Sequence, residues 1–229
     1  MNAATRSASL DLLKWLAIVT MVGDHLRYLW PDQDWLFVSG RVAFPFFCLA
    51  MAANVARSQA LKVGYLYGFL GFSLLSELAY RWLDNGSQTL NVMPTLALGL
   101  LVAWGVQLRT RTAATLALAA LGVATLGHEW LMYGLPGVLL PAALLVALRD
   151  GRLFWLAGVF AVAGNLTNSW LLQHPLQPIS LLVMTVAFLS VPLGLQLLRR
   201  EWPTRVAPVG RWAWWFYPLH LALIKLASL

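Results

Sequence analysis

Charged residues are scarce in this chain of 229 amino acids: Asp, Glu, Lys and Arg together make up 11% of it, whereas 60% is hydrophobic. A soluble domain carries about 25% charged residues, so the composition excludes a soluble domain and indicates a polytopic membrane protein. A transmembrane helix needs about 20 residues. The length therefore predicts a single domain, residues 1–229, that is filled by membrane helices and has no separate soluble part.

Cysteine and metal-ligand patterns are also missing. Cys48 is the only cysteine, which excludes an internal disulfide and a multi-cysteine metal site. The histidines His25, His128, His174 and His220 are dispersed without ligand spacing, so we expect no metal. The net charge of +7 would suggest nucleic acid in a soluble protein. Here the cations fall between apolar segments, so we expect contact with membrane lipids and no nucleic-acid partner.

Long apolar segments are abundant, and no internal repeat or low-complexity tract is visible among them. The first could be mistaken for a signal peptide, but Asp24 and His25 interrupt it and no A-x-A cleavage site follows, so we expect a retained helix. The sequence predicts an all-α, polytopic integral membrane helical bundle of about nine transmembrane helices. The segments are residues 10–30, 36–56, 63–83, 92–108, 112–127, 131–148, 153–170, 177–198 and 209–228.

The connections between these segments differ in charge. Twelve of the sixteen Lys and Arg lie before or within the first segment or in the even-numbered connections, and such positive connections face the cytoplasm. We therefore predict that the N-terminus lies inside and the C-terminus outside. The twelve are Arg6, Lys14, Arg57, Lys62, Arg109, Arg111, Arg149, Arg152, Arg199, Arg200, Arg205 and Arg211.

Lys14 and His25 lie in the first segment, eleven residues apart. At about 100° per residue, eleven steps bring both side chains to one helix face, about 16 Å apart along the axis. Lys14 alone would be an ordinary anchor at the membrane surface. Together with His25, at another depth on the same face, it indicates a two-point ligand site.

Other polar residues lie at the predicted outer side. His25, Arg41 and Glu77 are each about five or six residues from the outer ends of their helices, or roughly 7 to 9 Å deep. Isolated charges at such depths are costly, so we expect them to face one another in a polar chamber. Asn91, Glu129 and His220 lie toward the same side.

Each of these residues also has a simpler interpretation. Arg41 and Glu77 can form a buried pair that only fixes helix packing. His220 can be a hydrogen-bonded core histidine, and Glu129 a solvated helix cap. Asp24 lies about 100° around the helix from His25, which makes it a poor direct partner of that imidazole.

Several sequence blocks resemble the TraX family, whose namesake acetylates the N-terminus of conjugative pilin. The opening run from Lys14 to His25, with Arg41-Val-Ala-Phe-Pro-Phe-Phe47, carries the resemblance. It is supported by Ser76-Glu77, Asn91 with Thr95-Leu-Ala-Leu-Gly99, Tyr133-Gly134 and Phe216-Tyr-Pro-Leu-His220. A basic residue ten positions before a histidine is also similar to the motif of the transmembrane acyltransferase superfamily. Gly23 stands where this family's pattern leads us to expect isoleucine.

The resemblance implies a membrane-embedded acyltransferase of the bacterial inner membrane that uses cytoplasmic acetyl-CoA as co-substrate. Lys14 would bind a phosphate of the cofactor, helped by Arg6 and the cationic loops. His25 would act as general base or accept the acetyl group. Glu77 would orient His25. Arg41 or Asn91 would stabilise the oxyanion. Asp24, Asn91, Glu129 and His220 are expected to contact the acceptor.

Alternatives remain open for both the acceptor and the class of protein. The acceptor implied by the resemblance is a pilin N-terminus, and a glycan or glycolipid hydroxyl is the alternative within the same class. A proton-coupled transporter would also use intramembrane His, Glu and Arg, although the chain lacks visible inverted repeats and its ionisable groups gather toward one side. A scaffold for pilus assembly is the third possibility, and it predicts that the polar chamber is dispensable.

Overall fold

The computed structural model describes residues 7–202 and 206–229, so Arg6 and Arg205 of the charge pattern lie outside the described residues. All regular structure in the described part is helical, which confirms the predicted all-α class. Two 3₁₀ turns are present at His128–Trp130 and Gly151–Leu153. The α-helices are α1 (Ala8–Leu26), α2 (Asp34–Gly40), α3 (Ala43–Ala56), α4 (Val63–Leu83), α5 (Val92–Leu108), α6 (Arg111–Leu126), α7 (Gly134–Arg149), α8 (Phe154–Asn165), α9 (Ser169–Gln173), α10 (Pro178–Arg199) and α11 (Trp212–Ala227).

Each predicted apolar segment corresponds to a helix, and two segments are divided. The second is interrupted at Arg41 and Val42, between α2 and α3. Pro45 lacks the N–H that would bond to the Arg41 carbonyl in a continuous helix, which explains the break. The seventh ends with α8, and the side chain of Asn168 then accepts hydrogen bonds from the backbone N–H groups of Trp170 and Leu171 to begin α9.

Two helical stretches of the described chain are long and apolar enough to cross a membrane. They are Asp34–Ala56, which comprises α2 and α3, and Pro178–Arg199, which is α10. These stretches and the composition indicate a membrane protein. The count of about nine spans and the N-inside orientation stay predictions.

The outward surface of several helices is apolar. On α4, Tyr67, Leu74 and Leu78 form an exposed stripe, and 78% of Leu74 is accessible. Leu126 at the end of α6 is 89% accessible. Exposed apolar stripes of this extent favour contact with lipid over contact with water.

The buried core is formed around α1, α3, α5 and α7, and small residues allow close contact there. A Cβ on Gly99 of α5 would lie 2.8 Å from Cγ of Pro141 on α7, so only glycine permits this approach. Along the flank, α11 packs against α4 and also contacts α1. This arrangement brings the two ends of the sequence together and forms the site described next.

Candidate active site

His25 and His220 form a hydrogen-bonded pair. His25 is in the last turn of α1 and His220 is in α11, and Nδ1 of His25 lies 2.7 Å from Nε2 of His220. The ring centroids are 4.9 Å apart. His220 is buried, whereas His25 is partly accessible. The structure thus brings together two of the residues predicted for the site.

The hydrogen bonds of this pair define its tautomers when both rings are neutral. Nδ1 of His220 lies 2.9 Å from the backbone carbonyl of Phe216, which can only accept, so this nitrogen carries the proton. Nε2 of His220 is then an acceptor, and His25 donates to it from Nδ1. The lone pair of His25 is therefore on Nε2, the ring position at which a general base acts.

Two aromatic residues surround the pair. The Phe216 ring is stacked on His220, with centroids 5.1 Å apart and planes 7° from parallel. The Tyr217 ring lies 6.5 Å from His25 and 5.6 Å from His220. The phenol of Tyr217 lies against the backbone amide of Val92, the first residue of α5. The Tyr217 ring therefore lies near both imidazoles, and its hydroxyl is held at the start of α5.

A cavity of about 390 Å³ leads toward this pair along the inner face of α1. The face is lined by Lys14, Ile18 and Met21, which share it with His25 at helical spacing. Lys14 and Arg211 lie at the end where α1 and α11 begin, and Phe216 and Tyr217 lie at the other. The two histidines lie next to these rings and do not line the cavity itself. The remaining lining residues are Phe47, Ala50, Met51, Asn54, Tyr65, Phe69, Val92, Met93, Leu96, Val209, Gly210, Ala213 and Trp214.

The cationic end of the cavity is held by contacts with the segment before α11. Lys14 forms an ion pair with Asp11 at 3.7 Å, and Oδ1 of Asp11 accepts a hydrogen bond from the Val209 backbone N–H at 3.1 Å. The indole of Trp15 donates to the Ala207 carbonyl at 2.8 Å. These contacts place Arg211 at the same cavity as Lys14.

Arg41 is buried and forms an ion pair with Asp24, which is partly accessible. Its Nη2 donates to Oδ1 of Asp24 at 2.6 Å, Nη1 to Oδ1 of Asn165 at 3.3 Å and Nε to the Phe37 carbonyl at 3.0 Å. A Cβ on Gly40 would meet the Asp24 side chain at 2.4 Å, so the glycine allows α1 and α2 to come this close. Arg41 and Asp24 therefore join α1, α2 and α8 beside the histidines.

Glu77 and Asn91 connect α4 to α5. Oε2 of Glu77 accepts from the backbone N–H and the side-chain Nδ2 of Asn91, at 2.9 and 2.7 Å, and Oε1 accepts from Nε of Arg81 at 2.7 Å. Asn91 is fully buried and caps α5, since its Oδ1 accepts from the Met93 backbone N–H. Its Nδ2 also donates to the Ser73 carbonyl at 2.8 Å.

This geometry corrects two expected roles and one alternative ion pair. Glu77 does not orient His25, because its oxygens are engaged by Arg81 and Asn91, and His220 makes the contact to the imidazole instead. Asn91 does not offer a free donor for an oxyanion, because both Nδ2 hydrogens are used. Arg41 pairs with Asp24 and not with Glu77, which corrects the alternative of an Arg41–Glu77 pair.

Glu129 is not brought to the site. It is exposed in the 3₁₀ turn His128–Trp130, and it makes no hydrogen bond or ion pair with any described residue. The turn is connected to the α4–α5 loop through the Leu90 backbone N–H, which donates to the Trp130 carbonyl at 2.8 Å. Because Glu129 lies at the surface, its carboxylate is solvated and does not contact the histidine pair.

Sequence reasoning missed Tyr217 and Arg211 as residues of the cavity. Tyr217 precedes His220 by one helical turn, so helical spacing could have placed it on a neighbouring face. The sequence places Arg211 only among the cationic loops that would help to bind phosphate, without singling it out. Arg211 precedes the last helix, and Lys14 lies near the start of the first. These positions indicate a shared site only once the two helices are known to contact each other.

In the described residues, the fold and the site define an all-helical protein with an apolar exterior and a hydrogen-bonded histidine pair next to one end of a cavity that has Lys14 and Arg211 at its other end. The chain belongs to the TraX protein family, which matches residues 9–228. Protein TraX of Escherichia coli is 30% identical, with 96% of this chain and 87% of the relative covered. Protein TraX of Escherichia coli strain K12 is 31% identical over the same shares. No solved structure matches the chain.

Proposed function

We propose that this chain is a membrane-embedded acyltransferase that moves an acetyl group from cytoplasmic acetyl-CoA to an acceptor at the outer side of a bacterial inner membrane. The observation that carries the proposal is the His25–His220 hydrogen bond beyond the end of a cavity that begins at Lys14 and Arg211. The first block of the family resemblance contains both Lys14 and His25. The histidine pair and the cations that would bind the phosphates of acetyl-CoA are thus at opposite ends of one cavity.

The proposed topology has about nine membrane-spanning helices with the N-terminus in the cytoplasm. Apolar exposed stripes and the nine apolar segments support it, as does the concentration of Lys and Arg in alternate connections. With this orientation, Lys14 faces the cytoplasm and His25 lies toward the outside. Acetyl-CoA then enters from the side where it is supplied.

The donor would bind with its phosphates at Lys14 and Arg211, because charge-assisted hydrogen bonds to phosphate are strong. The mostly apolar lining suits the pantetheine arm. Its reach is similar to the distance of about 16 Å between Lys14 and His25 along α1. The thioester then arrives beside Phe216 and Tyr217, next to the histidine pair.

His25 acts as the general base in the proposed reaction. Nε2 takes a proton from the acceptor amine, the amine nitrogen bonds to the thioester carbonyl carbon, and the carbon–sulfur bond breaks to release the CoA thiolate, which takes up the proton. His220 holds the imidazole through Nδ1. A two-step route, in which the acetyl group first bonds to His25 and is then passed to the acceptor, uses the same residues.

Tyr217 is the proposed donor to the oxyanion. Arg41 and Asn91 are engaged in structural hydrogen bonds, whereas the Tyr217 hydroxyl donates to no side chain or carbonyl in the described part of the chain. It lines the end of the cavity near the imidazoles. A donor fixed at that point stabilises charge that develops on the thioester carbonyl oxygen.

The proposed acceptor is the N-terminal amine of a pilin, which would lie near the outer leaflet. Membership of the TraX family supports this choice over a glycan or glycolipid hydroxyl. Both acceptors present a nucleophile that needs a general base. The choice between them therefore depends on the acceptor assay and not on the identity of the base.

The experiment incubates the purified chain in detergent with radiolabelled acetyl-CoA and a membrane extract that contains candidate acceptors. We expect CoA release and label transfer from wild type and none from His25→Ala, while His25→Ala retains its melting temperature. His174→Ala, which changes an exposed histidine, is the matched control. Equal transfer by wild type and His25→Ala would overturn the catalytic role, and absence of CoA binding and release by wild type would favour a transporter or scaffold.

A further inference from the structure

A second cavity of about 640 Å³ lies between α4 and α11, next to the cavity of the candidate site. Four residues line both cavities: Asn54, Tyr65, Arg211 and Trp214. The two spaces are therefore neighbours across Tyr65 and Trp214, at the end of the bundle where α4 and α11 begin. The main site described above does not use this space.

Its lining combines cations with aromatic walls. Lys62 and Arg211 supply two positive charges, and the indoles of Trp214 and Trp215 lie along α11. Tyr65 and Trp214 meet edge to face, with ring centroids 5.8 Å apart. Phosphate recognition uses Lys and Arg, and planar heterocycles stack on aromatic side chains. The set suits a ligand with both phosphates and a flat base.

Glycines on α4 keep the cavity open. Gly64 has no atom within 4 Å of the position that a Cβ would occupy, and Gly68 faces the Trp214 ring at 3.4 Å. Larger side chains at these positions would project into the cavity. A volume of about 640 Å³ is within the range of about 300–1,000 Å³ for small-molecule sites.

We propose that this second cavity binds the phosphorylated adenosine half of acyl-CoA, while the first cavity holds the pantetheine arm. The inference rests on the proposed acyltransferase function. Arg211 lines both spaces and would bind at the junction between the two halves of the donor, with Lys62 on the far side. An anionic lipid headgroup also carries a phosphate but lacks the adenine base. The test must therefore distinguish binding of acyl-CoA from binding of such a lipid.

Gly64→Leu fills the second cavity, and Gly71→Leu is its matched control. Both glycines lie on α4 with open space at the Cβ position, and Gly71 does not line the cavity. We expect Gly64→Leu to weaken binding of CoA and of adenosine 3′,5′-bisphosphate by about tenfold or more. Gly71→Leu should leave both affinities unchanged. Titration calorimetry of the full chain in detergent gives the affinities, and the melting temperature reports folding.

A truncated donor separates this inference from the proposed function. Acetyl-pantetheine lacks the adenosine and its phosphates, so Gly64→Leu should use it as well as wild type does while its KM for acetyl-CoA rises. Lys62→Gln should show the same split, with Arg57→Gln as the control because Arg57 is exposed and lines neither cavity.

Two results would overturn the nucleotide site, and only the second would also overturn the proposed acyltransferase function. If wild type and Gly64→Leu bind CoA equally, the nucleotide site is wrong and the acyltransferase stands. In that case an effect of Gly64→Leu on stabilisation by anionic-lipid nanodiscs would assign the cavity to a lipid. If wild type binds neither CoA nor adenosine 3′,5′-bisphosphate and transfers no acetyl group, the proposed function fails as well.

Discussion

Nδ1 of His25 lies 2.7 Å from Nε2 of His220, although 195 positions separate the two residues in the sequence. The relationship depends on α1 and α11 lying side by side, so the first and last helices jointly form the site. It also gives His220 the orienting contact that the sequence predicts for Glu77.

Replacement of His220 should lower the rate of acetyl transfer by about 100-fold through the loss of the acceptor for His25 Nδ1. His220→Gln can still accept a hydrogen bond through its side-chain oxygen, so it should recover part of the rate that His220→Leu loses. Steady-state kinetics would show the loss in kcat with little change in the KM for acetyl-CoA. Equal rates for His220→Leu and His220→Gln would contradict the orienting role.

Tyr217→Phe should lower kcat by about 100-fold, the usual effect of removing one oxyanion donor, because it removes only the hydroxyl. Packing of the ring beside His25 and His220 is retained, so the melting temperature should hardly change. Tyr67→Phe is the control, since Tyr67 is exposed on α4. A Tyr217→Phe enzyme with the wild-type kcat would exclude this donor.

Lys14→Ala should raise the KM for acetyl-CoA and leave kcat nearly unchanged, because the proposed contact is to a phosphate of the donor, distant from the reacting carbon. Lys225→Ala, in the last turn of α11 and outside both cavities, is the control cation. The measurement is the initial rate against acetyl-CoA concentration. An unchanged KM for Lys14→Ala would count against a phosphate contact at this residue.

Arg41→Ala should reduce the free energy of unfolding by about 1.5–3 kcal/mol, because it removes the charge-assisted hydrogen bonds of the buried guanidinium to Asp24 and Asn165. Arg27 also faces Asp24, at 3.7 Å, but its side chain is 40% accessible. Arg27→Ala should therefore cost about 1 kcal/mol or less. Denaturation in detergent would measure both values, and similar losses for the two variants would show that Arg41 is not the stronger partner of Asp24.

Gly40→Ala and Gly23→Ala should shift stability in opposite directions. A Cβ at Gly40 would meet Cβ of Asp24 at 2.4 Å, so α1 and α2 must separate and the melting temperature should fall. At Gly23 the nearest atom is 3.8 Å away, and replacing a glycine inside a helix by alanine adds about 0.5–1 kcal/mol. A lower melting temperature for Gly23→Ala would contradict the ordinary van der Waals distances from this position to Ser39 and Leu36.

The local content of the fold could be predicted from the sequence alone. Apolar segments of helical length identified the helices. A segment that is buried in a core or in lipid must be apolar, and a helix satisfies the hydrogen bonds of its own backbone. The Lys14–His25 face could likewise be predicted, since a single helix fixes the angle between positions 11 residues apart. Ile18 and Met21 along the cavity agree with that face.

The partners of each polar side chain were decided by the tertiary structure. Similar depth suggested that His25, Arg41 and Glu77 meet, but depth does not specify which faces of different helices are turned toward one another. Because α11 packs against α1, His25 is hydrogen-bonded to His220. Because α1 and α2 approach closely at Gly40, Arg41 forms its ion pair with Asp24. Asn91, at the start of α5, took the carboxylate of Glu77. Local sequence is thus sufficient to predict the helices and the face of α1 that carries Lys14 and His25. The hydrogen-bond partners of the polar side chains depend on the packing of helices that are distant in sequence.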